Sequence, residues 1–487
     1  MSAVSGAQAS ADLAGSLRAR LAANPDAPAI TMGGQTLSYG ALIERVGQIA
    51  GLLEGLAVGE RVGLYLTRSP DLVASLLACL RLGLTFVPLD PAFPAARLET
   101  IARRARLSAL LCDGEGGPDV GIPRLALSGA GLGSADHWPR VDDGVTAYMM
   151  FTSGSTGEPK GVVISRRALH RFLSAIAERL GLTPECHWLF ITTSAFDISL
   201  LEMLGPLWGG GRLTVASGEE HKDPTKILAL LEGDASLNWL QATPASWRML
   251  LKAGWQGTES LTALCGGEAL DPGLAAELCR RTRRLWHCYG PTEATVWSMV
   301  GEVTSAAGEV TLTNSLSGYR HWVIDESGAA IERGEGELCI ESEALFDGYW
   351  ERPDLGEAAQ LTHAGHRLYR TGDRVRRLGA DRFLYLGRRD DQVKLRGFRI
   401  ELGEVEAALR RQSGVQEAAV RLWGEGDEAM LVGYVEAKAG VSLSRPALRR
   451  GLQAILPYYM VPARLMLLPT LPKGGSGKID RKALPLP

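Results

Sequence analysis

A run of hydroxyl-bearing residues, glycines and one lysine is the strongest chemical signal in the sequence. It lies in YMMFTSGSTGEPKGVVIS, residues 148–165, between two apolar segments. Glycines let a backbone approach an anion, and hydroxyls and backbone N–H groups donate hydrogen bonds to phosphate oxygens. The lysine follows a proline, whereas the loop of nucleotide kinases has the order Gly-Lys-Ser/Thr. The segment predicts a phosphate-binding loop of another kind, and a surface turn rich in serine and glycine is the alternative interpretation.

Strand-like and helix-like segments alternate on both sides of this loop. RVGLYL at 61–66 and TFVPLD at 85–90 are typical of short buried strands, and DLVASLLACLRLG at 71–83 is typical of a helix that ends at a glycine. Strand, helix and strand in succession predict parallel sheets covered by helices. From about residue 309 the strands become short and closely spaced, which predicts a smaller β-rich subdomain.

The C-terminal pattern is different again. Helix-like segments at 401–411 and 445–456 flank two strand-like segments, which predicts an α+β unit of ordinary domain size. We therefore predict an α/β protein in two parts. Residues 1–389 form a large N-terminal region of layered α/β subdomains plus the β-rich subdomain, and residues 390–487 form a small C-terminal α+β lid domain.

The composition argues against several classes of protein. The formal net charge of −3 lacks the basic excess of a nucleic-acid or membrane-surface binder. No apolar run reaches the ~18 residues that a membrane-spanning helix needs. Seven scattered cysteines without a C-x-x-C pair are typical of reduced thiols, and no Cys/His cluster predicts a metal cage. We expect a cytoplasmic protein that binds neither nucleic acid nor membrane.

Ten segments form an ordered series that covers nearly the whole chain. They are LSYGAL (37–42), LRLGLTFVPLDPAFP (80–94), the loop at 151–161, FDISLLEM (196–203), YGPTE (289–293), GELCI with GYW (336–350), YRTGD (369–373), GRRDDQVKLRGFRIELGEVE (387–406), LPYYMVP (456–462) and GKIDRKAL (477–484). In this order they resemble the motifs of the adenylate-forming superfamily. The resemblance is greatest to the amino-acid adenylation domains of non-ribosomal peptide synthesis.

The resemblance implies a reaction in two halves. A substrate carboxylate attacks the α-phosphorus of ATP and expels pyrophosphate, and a thiol then attacks the acyl-adenylate. Such displacements leave the protein mainly positioning and charge neutralisation to do. ATP and Mg²⁺ would be the cofactors. The thiol would be the phosphopantetheine arm of a separate carrier protein, and a small MbtH-like helper protein is a further candidate partner.

The same resemblance assigns roles to residues of the motifs. Glu293 would bind Mg²⁺, and Thr292 would approach the α-phosphate. Lys478 would reach from the lid to the substrate carboxylate and the α-phosphate, and Asp390 would be the hinge of the lid. The implied nucleotide-binding residues are Thr152, Ser153, Gly154, Ser155, Thr156, Gly157 and Lys160 for the phosphates, Tyr289 for the adenine, Asp373 and Arg388 for the ribose, and Gly267 and Glu268 elsewhere on the nucleotide.

Asp197, in FDISLLEM, is the most informative residue for the substrate. In amino-acid-activating relatives the matching aspartate pairs with the α-ammonium group, whereas acyl-CoA synthetases generally lack it. A partly buried carboxylate needs such a cation, or its own pKa rises. The alternative is that Asp197 caps the helix that follows it.

The other specificity positions follow from the motifs and resemble the glycine-activating pattern. Large side chains at three of them would fill the space that a substrate side chain needs, and overpacking costs roughly 1–3 kcal/mol. Glycine is therefore the predicted substrate, with alanine or an N-substituted glycine as alternatives. The positions besides Asp197 are Ile198, Leu201, Gln241, Leu264, Gly266, Cys288, Val296, Trp297 and Lys478.

Other interpretations stay open. The chain could be an acyl- or aminoacyl-CoA ligase, or a catalytically inactive homologue that serves as a scaffold. We expect a free-standing enzyme, with an excised piece of a larger synthetase as the alternative. Departures from the family pattern at Glu341, Ser342 and Ala344 leave the conformation of that loop open, and Ser476 stands where the family often has Asn.

Replacing the implied catalytic lysine should separate the two halves of the reaction. Lys478→Ala removes a positive charge near the reacting phosphate, and losing such a group commonly costs ~10²–10³ in rate. We expect adenylation, measured as ATP–pyrophosphate exchange, to fall by this factor. Transfer of a preformed adenylate to the carrier thiol should fall far less. Equal losses in both assays would contradict the role.

Overall fold

A computed structural model of the chain describes residues 12–114, 116–131, 133, 137–154, 157–304, 308–474 and 479–487, with only the backbone of Asp427. Three residues with predicted roles, Ser155, Thr156 and Lys478, lie outside the described residues.

The helices begin and end at residues whose chemistry suits a helix terminus. In the helix Pro70–Leu82, the Ser69 hydroxyl accepts a hydrogen bond from the Leu72 N–H, and Gly83 ends the helix at a φ of 73°. The helix predicted over 71–83 is thereby confirmed. Within the described ranges, no helix is long and apolar enough to cross a membrane. The helices are α1 Leu13–Leu21, α2 Tyr39–Leu52, α3 Pro70–Leu82, α4 Ala95–Ala105, α5 Arg166–Leu180, α6 Ile198–Gly209, α7 Pro224–Gly233, α8 Pro244–Lys252, α9 Pro272–Arg281, α10 Pro353–Ala358, α11 Leu402–Arg410 and α12 Arg445–Gln453.

The strands follow the apolar runs of the sequence. The buried segments at 61–66 and 85–90 are strands of five and four residues, as predicted. In chain order the strands are β1 Pro28–Met32, β2 Gln35–Ser38, β3 Arg61–Tyr65, β4 Thr85–Pro88, β5 Ala109–Cys112, β6 Arg124–Ala126, β7 Thr146–Thr152, β8 Lys160–Ser165, β9 His187–Phe190, β10 Arg212–Val215, β11 Trp239–Ala242, β12 Thr258–Gly266, β13 Thr282–Tyr289, β14 Met299–Glu302, β15 Leu312–Thr313, β16 Tyr319–Ile324, β17 Gly334–Ser342, β18 Gly348–Tyr349, β19 Gln360–His363, β20 His366–Gly379, β21 Arg382–Arg388, β22 Gln392–Leu395, β23 Phe398–Glu401, β24 Val415–Trp423, β25 Met430–Ala437 and β26 Arg464–Leu468.

Two large sheets with mainly parallel strands form most of the N-terminal region. One has the order β14-β13-β12-β11-β9-β10-β1-β2, and the other has the order β18-β8-β7-β4-β3-β5-β6. One continuous hydrophobic cluster contains residues of both sheets and of α5 and α6, including Phe172, Trp188 and Leu204. The layered α/β arrangement predicted from the sequence is therefore confirmed.

The rest of the chain forms the predicted β-rich and α+β units. A six-stranded antiparallel sheet has the order β15-β21-β20-β17-β16, with β19 paired to β20. Beyond it lie the hairpin β22–β23 and the sheet β24-β25-β26. Helices α11 and α12 pack with these strands around a separate core that contains Val405, Val420 and Leu452. The expected small C-terminal α+β part is present.

The hairpin β22–β23 is one of the parts of this C-terminal unit that contact the N-terminal region. At its turn the Gly397 N–H donates to the Glu268 carboxylate at 2.7 Å. The Phe398 ring stacks on Tyr459, with centroids 3.9 Å apart, and meets Phe196 edge-on at 4.9 Å. These contacts place the hairpin over the carboxyl ends of the parallel strands, where α/β proteins bind ligands.

Candidate active site

The predicted phosphate loop connects two antiparallel strands, and Thr152 at the end of β7 pairs with Lys160 at the start of β8. Only glycine fits at 154, because a Cβ atom there would collide with the Glu158 carbonyl oxygen. Gly157 has a φ of 84°, which also favours glycine. The Thr152 hydroxyl is buried without a hydrogen-bond partner among the described atoms. The loop therefore offers an unpaired donor beside a lysine.

A fully buried carboxylate, Glu293, lies beside this loop. Tyr349 donates its phenolic hydrogen to it at 2.6 Å, and Nη1 of Arg399 lies 2.8 and 3.1 Å from its two oxygens. The Lys160 Nζ atom is 3.9 Å away. Burial by itself raises the pKa of Glu293, but the charges of Arg399 and Lys160 outweigh burial and lower that pKa to about 2. Glu293 is therefore ionised at neutral pH.

Glu293 also fits the magnesium role that the resemblance implies. Proteins bind Mg²⁺ with one or two carboxylates, and water and substrate phosphates complete the octahedron. The described residues contain no cluster of three or more His, Cys, Asp or Glu side chains that could hold a metal alone. A buried carboxylate beside the predicted phosphate loop is consistent with a metal that arrives with a nucleotide.

The residues predicted for the ribose and for the hinge form one hydrogen-bonded group. Tyr289 donates to one oxygen of Asp373 at 2.5 Å, and Arg388 donates to the other at 2.9 Å. Arg388 also binds both oxygens of Asp390 at 2.7 Å. Burial and the adjacent charge of Asp373 raise the pKa of Tyr289. The hinge candidate is thus connected to the ribose candidate through a single guanidinium group.

A cavity of about 210 Å³ lies on the other side of Tyr289. Gly267, Glu268, His287 and Lys394 line it with Tyr289. The Lys394 ammonium group lies 5.8 Å from the centroid of the Tyr289 ring. The geometry therefore brings three of the predicted nucleotide residues, Gly267, Glu268 and Tyr289, to a single cavity.

Asp197 faces a second cavity, which Phe196, Ile198 and Trp297 also line. It is 6% exposed, and its Oδ2 atom has no hydrogen-bond partner within the described part of the chain. Burial raises the pKa of Asp197 to about 6, with the charge of Glu293 adding to the shift and Thr292 opposing it. Asp197 occupies the N-cap position of α6, as the helix-cap alternative requires, but its side chain makes no capping hydrogen bond there.

The other predicted specificity residues surround Trp297 in two groups. Gly266 is necessary for the approach of Trp297, because a Cβ atom at 266 would lie 2.8 Å from the indole ring and 2.9 Å from Cys288. Gln241 accepts a hydrogen bond from the Trp297 indole at 3.0 Å. The second group is Leu201, Leu264 and Val296, which are buried in the same hydrophobic cluster. Among the described residues of the predicted set, only Asp197, Ile198 and Trp297 line the Asp197 cavity.

A larger cavity of about 700 Å³ opens between the N-terminal sheets and the hairpin β22–β23. Apolar side chains such as Phe196, Met249 and Phe398 line it, together with Thr193 and Ser246. Phe196 and Ile198 also border the Asp197 cavity. An extended ligand of moderate polarity could therefore pass from here towards Asp197.

The sequence analysis missed several residues of the site. Arg399 on Glu293, and Glu404, which accepts the Gly154 N–H at 3.1 Å and pairs with Arg97, come from the C-terminal unit. Tyr349 and Lys394 were missed as well. Arg399, Glu404, Tyr349 and Lys394 all lie inside the motifs quoted above, so membership of a motif was the signal that could have identified them. Pairs such as Arg399 and Glu293 are 106 residues apart, and no local pattern predicts them.

Models of two protein families match the chain. The AMP-binding enzyme family matches residues 17–350, and the AMP-binding enzyme C-terminal domain matches residues 404–478. The first match alone covers more than half of the chain. The chain therefore belongs to the AMP-binding enzymes, a family of adenylate-forming ligases that use ATP.

Its relatives include nonribosomal peptide synthetases. The dimodular nonribosomal peptide synthase of Bacillus subtilis (strain 168) is 36% identical over 93% of this chain, and the match spans 20% of that protein. Syringomycin synthase SyrB1 of Pseudomonas syringae pv. syringae is 35% identical over 95% of this chain and 80% of that protein. The chain thus spans about a fifth of the Bacillus relative and most of SyrB1.

Two solved structures are similar along nearly the whole chain. A four-domain nonribosomal peptide synthetase with bound AMP and glycine is 39% identical, with a TM-score of 0.74, over 98% of this chain and 37% of that one. A nonribosomal peptide synthetase protein with adenylation and carrier domains, bound to a vinylsulfonamide inhibitor, is 26% identical, with a TM-score of 0.85, over 97% of this chain and 83% of that one.

Removing the Arg399 charge should loosen the hairpin from the core. Breaking a buried ion pair on one side costs about 3–5 kcal/mol, so Arg399→Gln should raise amide hydrogen exchange in 392–401 at least ~10-fold. Arg396→Gln, at the exposed turn of the same hairpin, is the matched control and should change it little. Equal protection in Arg399→Gln and the parent protein would contradict this.

The low pKa of Glu293 adds a pH dependence to this prediction. A carboxyl whose pKa is lowered by folding stabilises the folded state above its ordinary pKa of 4.5, and this stabilisation is lost as pH falls towards about 2. Hairpin protection in the parent protein, corrected for intrinsic exchange, should therefore be the same at pH 7 and pH 5. A decline that occurs in the parent protein and not in Glu293→Gln would show that Glu293 titrates higher, whereas a decline in both would come from groups whose pKa burial raises, such as Asp197 or Glu401.

Proposed function

We propose that the chain activates glycine with ATP and Mg²⁺ as glycyl-AMP and transfers it to the phosphopantetheine thiol of a carrier protein. The observation that carries the proposal is the unpartnered oxygen of Asp197. A carboxylate that is 6% exposed is costly without a cation. An α-ammonium group would supply that cation, and a simple fatty acid would not.

The surroundings of Asp197 support a small amino acid. Trp297 is 1% exposed, packs against Gly266 and borders the cavity, so a substrate side chain would meet the indole ring. A clash of this kind excludes larger substrates, and nothing smaller than glycine competes. The relative solved with AMP and glycine is 39% identical. Together these points favour glycine over alanine or an N-substituted glycine.

Each half of the nucleotide would have its own partners. Thr152, Ser153 and Lys160 would hold phosphate oxygens, and Thr292 would face the α-phosphate. Mg²⁺, when bound at Glu293, would neutralise charge on the departing pyrophosphate. The remaining residues of the proposed nucleotide site are Asp373 and Arg388 for the ribose hydroxyls, Tyr289, Gly267 and Glu268 for the base, and Gly154, Ser155, Thr156 and Gly157 for the phosphates.

We also infer that the C-terminal unit moves between the two halves of the reaction. In the structure Arg399 holds the carboxylate that Mg²⁺ would bind, and Glu404 accepts the Gly154 N–H that a phosphate would use. Hairpin and magnesium pyrophosphate therefore compete for the same groups. A division at 389/390, with Asp390 as hinge, would let the unit withdraw and bring Lys478 to the reacting atoms.

The cavity of about 700 Å³ supports a thiol carried on a long arm. Apolar side chains and hydroxyls line it together with Asp90, His221, Lys222 and Arg396, and this mixed lining suits the amide and methylene groups of a pantetheine chain. The relative with adenylation and carrier domains is consistent with such a partner. We propose a separate carrier protein in the cytoplasm as the acceptor. An MbtH-like helper is to be tested as an additive.

Pyrophosphate exchange tests the proposal directly. The purified chain, with and without an MbtH-like helper, is assayed with ATP, Mg²⁺ and each proteinogenic amino acid plus sarcosine. We expect a dominant glycine signal and no signal with acetate, which lacks the ammonium group. Exchange with acetate would favour an acyl-CoA ligase, and no exchange in any condition would favour a scaffold.

Asp197→Asn is the matched variant, since it keeps shape and removes charge. Removing one partner of a buried charge pair costs about 3–5 kcal/mol, so kcat/KM for glycine should fall at least ~100-fold. Loading of a holo-carrier by radiolabelled glycine should fall in parallel. Unchanged glycine activation in this variant would remove Asp197 from the ammonium site.

A further inference from the structure

The orientation of the Gln241 side-chain amide is fixed by its neighbours. Its oxygen accepts the Trp297 indole N–H at 3.0 Å. Its nitrogen donates to the Ile198 carbonyl oxygen at 2.8 Å and to Oε1 of Glu202 at 2.9 Å. An indole can only donate, and a carbonyl or carboxylate can only accept. Only one of the two amide orientations satisfies all three partners.

Glu202 is the acidic end of this network and has no role in the function proposed above. It lies on α6, five residues after Asp197, and is fully buried. Oε2 accepts the Ile191 and Thr192 N–H groups at 2.8 and 3.0 Å, whereas Oε1 takes the Thr192 hydroxyl and Gln241. Oε2 therefore binds the backbone at Ile191 and Thr192, which is a structural task, whereas Oε1 also binds the pocket residue Gln241.

We propose that Glu202 is a positioning residue for substrate selection, which orients the Gln241 amide so that Gln241 holds Trp297 as the wall of the amino-acid pocket. The inference rests on the proposed function. The Trp297 ring is so close to Gly266 that a Cβ atom at 266 would lie 2.8 Å from it. The position of the Trp297 ring therefore sets the space left beside Asp197. Without its acceptor the indole would bury an unpaired N–H, which favours another ring position.

The variant Glu202→Gln separates the two tasks of this side chain. The remaining oxygen can still accept the backbone N–H groups of Ile191 and Thr192. The new NH₂ group faces the Gln241 NH₂ group, and the two donors repel each other. Turning Gln241 over would set its oxygen against the Ile198 carbonyl oxygen and its nitrogen against the Trp297 N–H, so the amide is instead displaced from residue 202 without turning. The acceptor of the Trp297 indole moves with it, and the ring loses its position.

The test is a double-mutant cycle with Trp297→Phe, which keeps a ring but has no N–H to orient. The ratio of kcat/KM for glycine to that for alanine is measured by pyrophosphate exchange in all four proteins. One methylene is worth roughly 10–200-fold in a tight pocket, and we expect Glu202→Gln to lower the ratio about tenfold. In the Trp297→Phe background, Glu202→Gln should leave the ratio unchanged.

A purely structural Glu202 would give a different result. Glu202→Gln would then lower the melting temperature and scale both substrates equally, or shift the ratio by the same factor in both backgrounds; either outcome overturns the proposal. If Glu202→Gln does not fold, Glu202→Asp, too short to reach Gln241, should give the same Trp297-dependent loss. If the parent enzyme prefers another amino acid, the glycine proposal fails, and the cycle is run with that substrate and its homologue one methylene longer.

Discussion

A carboxylate with no exposed surface must be neutralised where it lies, and Glu293 imposes this constraint on the whole site. Desolvating an ion costs several kcal/mol, which only a close and well-oriented cation repays. Arg399 supplies that cation from the C-terminal unit, with Lys160 and Tyr349 on the other side. The ion pair therefore joins the loop after β13, the strand β8 and the hairpin β22–β23. One buried charge therefore helps to fix the position of the C-terminal unit.

Several hydrogen bonds also join the C-terminal unit to the N-terminal region at this interface. Glu404 accepts the Gly154 N–H of the predicted phosphate loop, and Glu268 accepts the N–H of Gly397 at the hairpin turn. Ser153 donates to the Arg399 carbonyl oxygen and accepts the Glu401 N–H. The C-terminal unit thus occupies hydrogen-bonding groups that the proposed function gives to a nucleotide. Two arrangements that share one set of partners exclude each other, and such exclusion gives a two-step enzyme a physical basis for ordering its steps.

Much of the fold was accessible from local patterns, because buried strands and capped helices leave short signals. The helix Pro70–Leu82 and the strands beside it are examples. The order of the motifs indicated Asp197 and Glu293. In the structure Asp197 lines a cavity, and Glu293 forms an ion pair with Arg399. Contacts between distant segments were not accessible. The acceptor of the Trp297 indole and the cation on Glu293 depend on which strands become neighbours, and hydrophobic periodicity carries no information on that choice. The roles assigned to the site residues remain predictions, and Lys478, Ser155 and Thr156 also lie outside the described ranges.

Competition between Arg399 and magnesium pyrophosphate for Glu293 is the central claim, and calorimetry measures it. Magnesium pyrophosphate is titrated into the parent protein, Arg399→Gln and Glu293→Gln. Because the parent protein must first displace the guanidinium group, the account predicts tighter binding to Arg399→Gln, by at least ~10-fold for one lost charged contact of ~1.5–3 kcal/mol, and little binding to Glu293→Gln. Equal or weaker binding to Arg399→Gln would contradict the account, because Arg399 would then either strengthen the binding of magnesium pyrophosphate or have no effect on it.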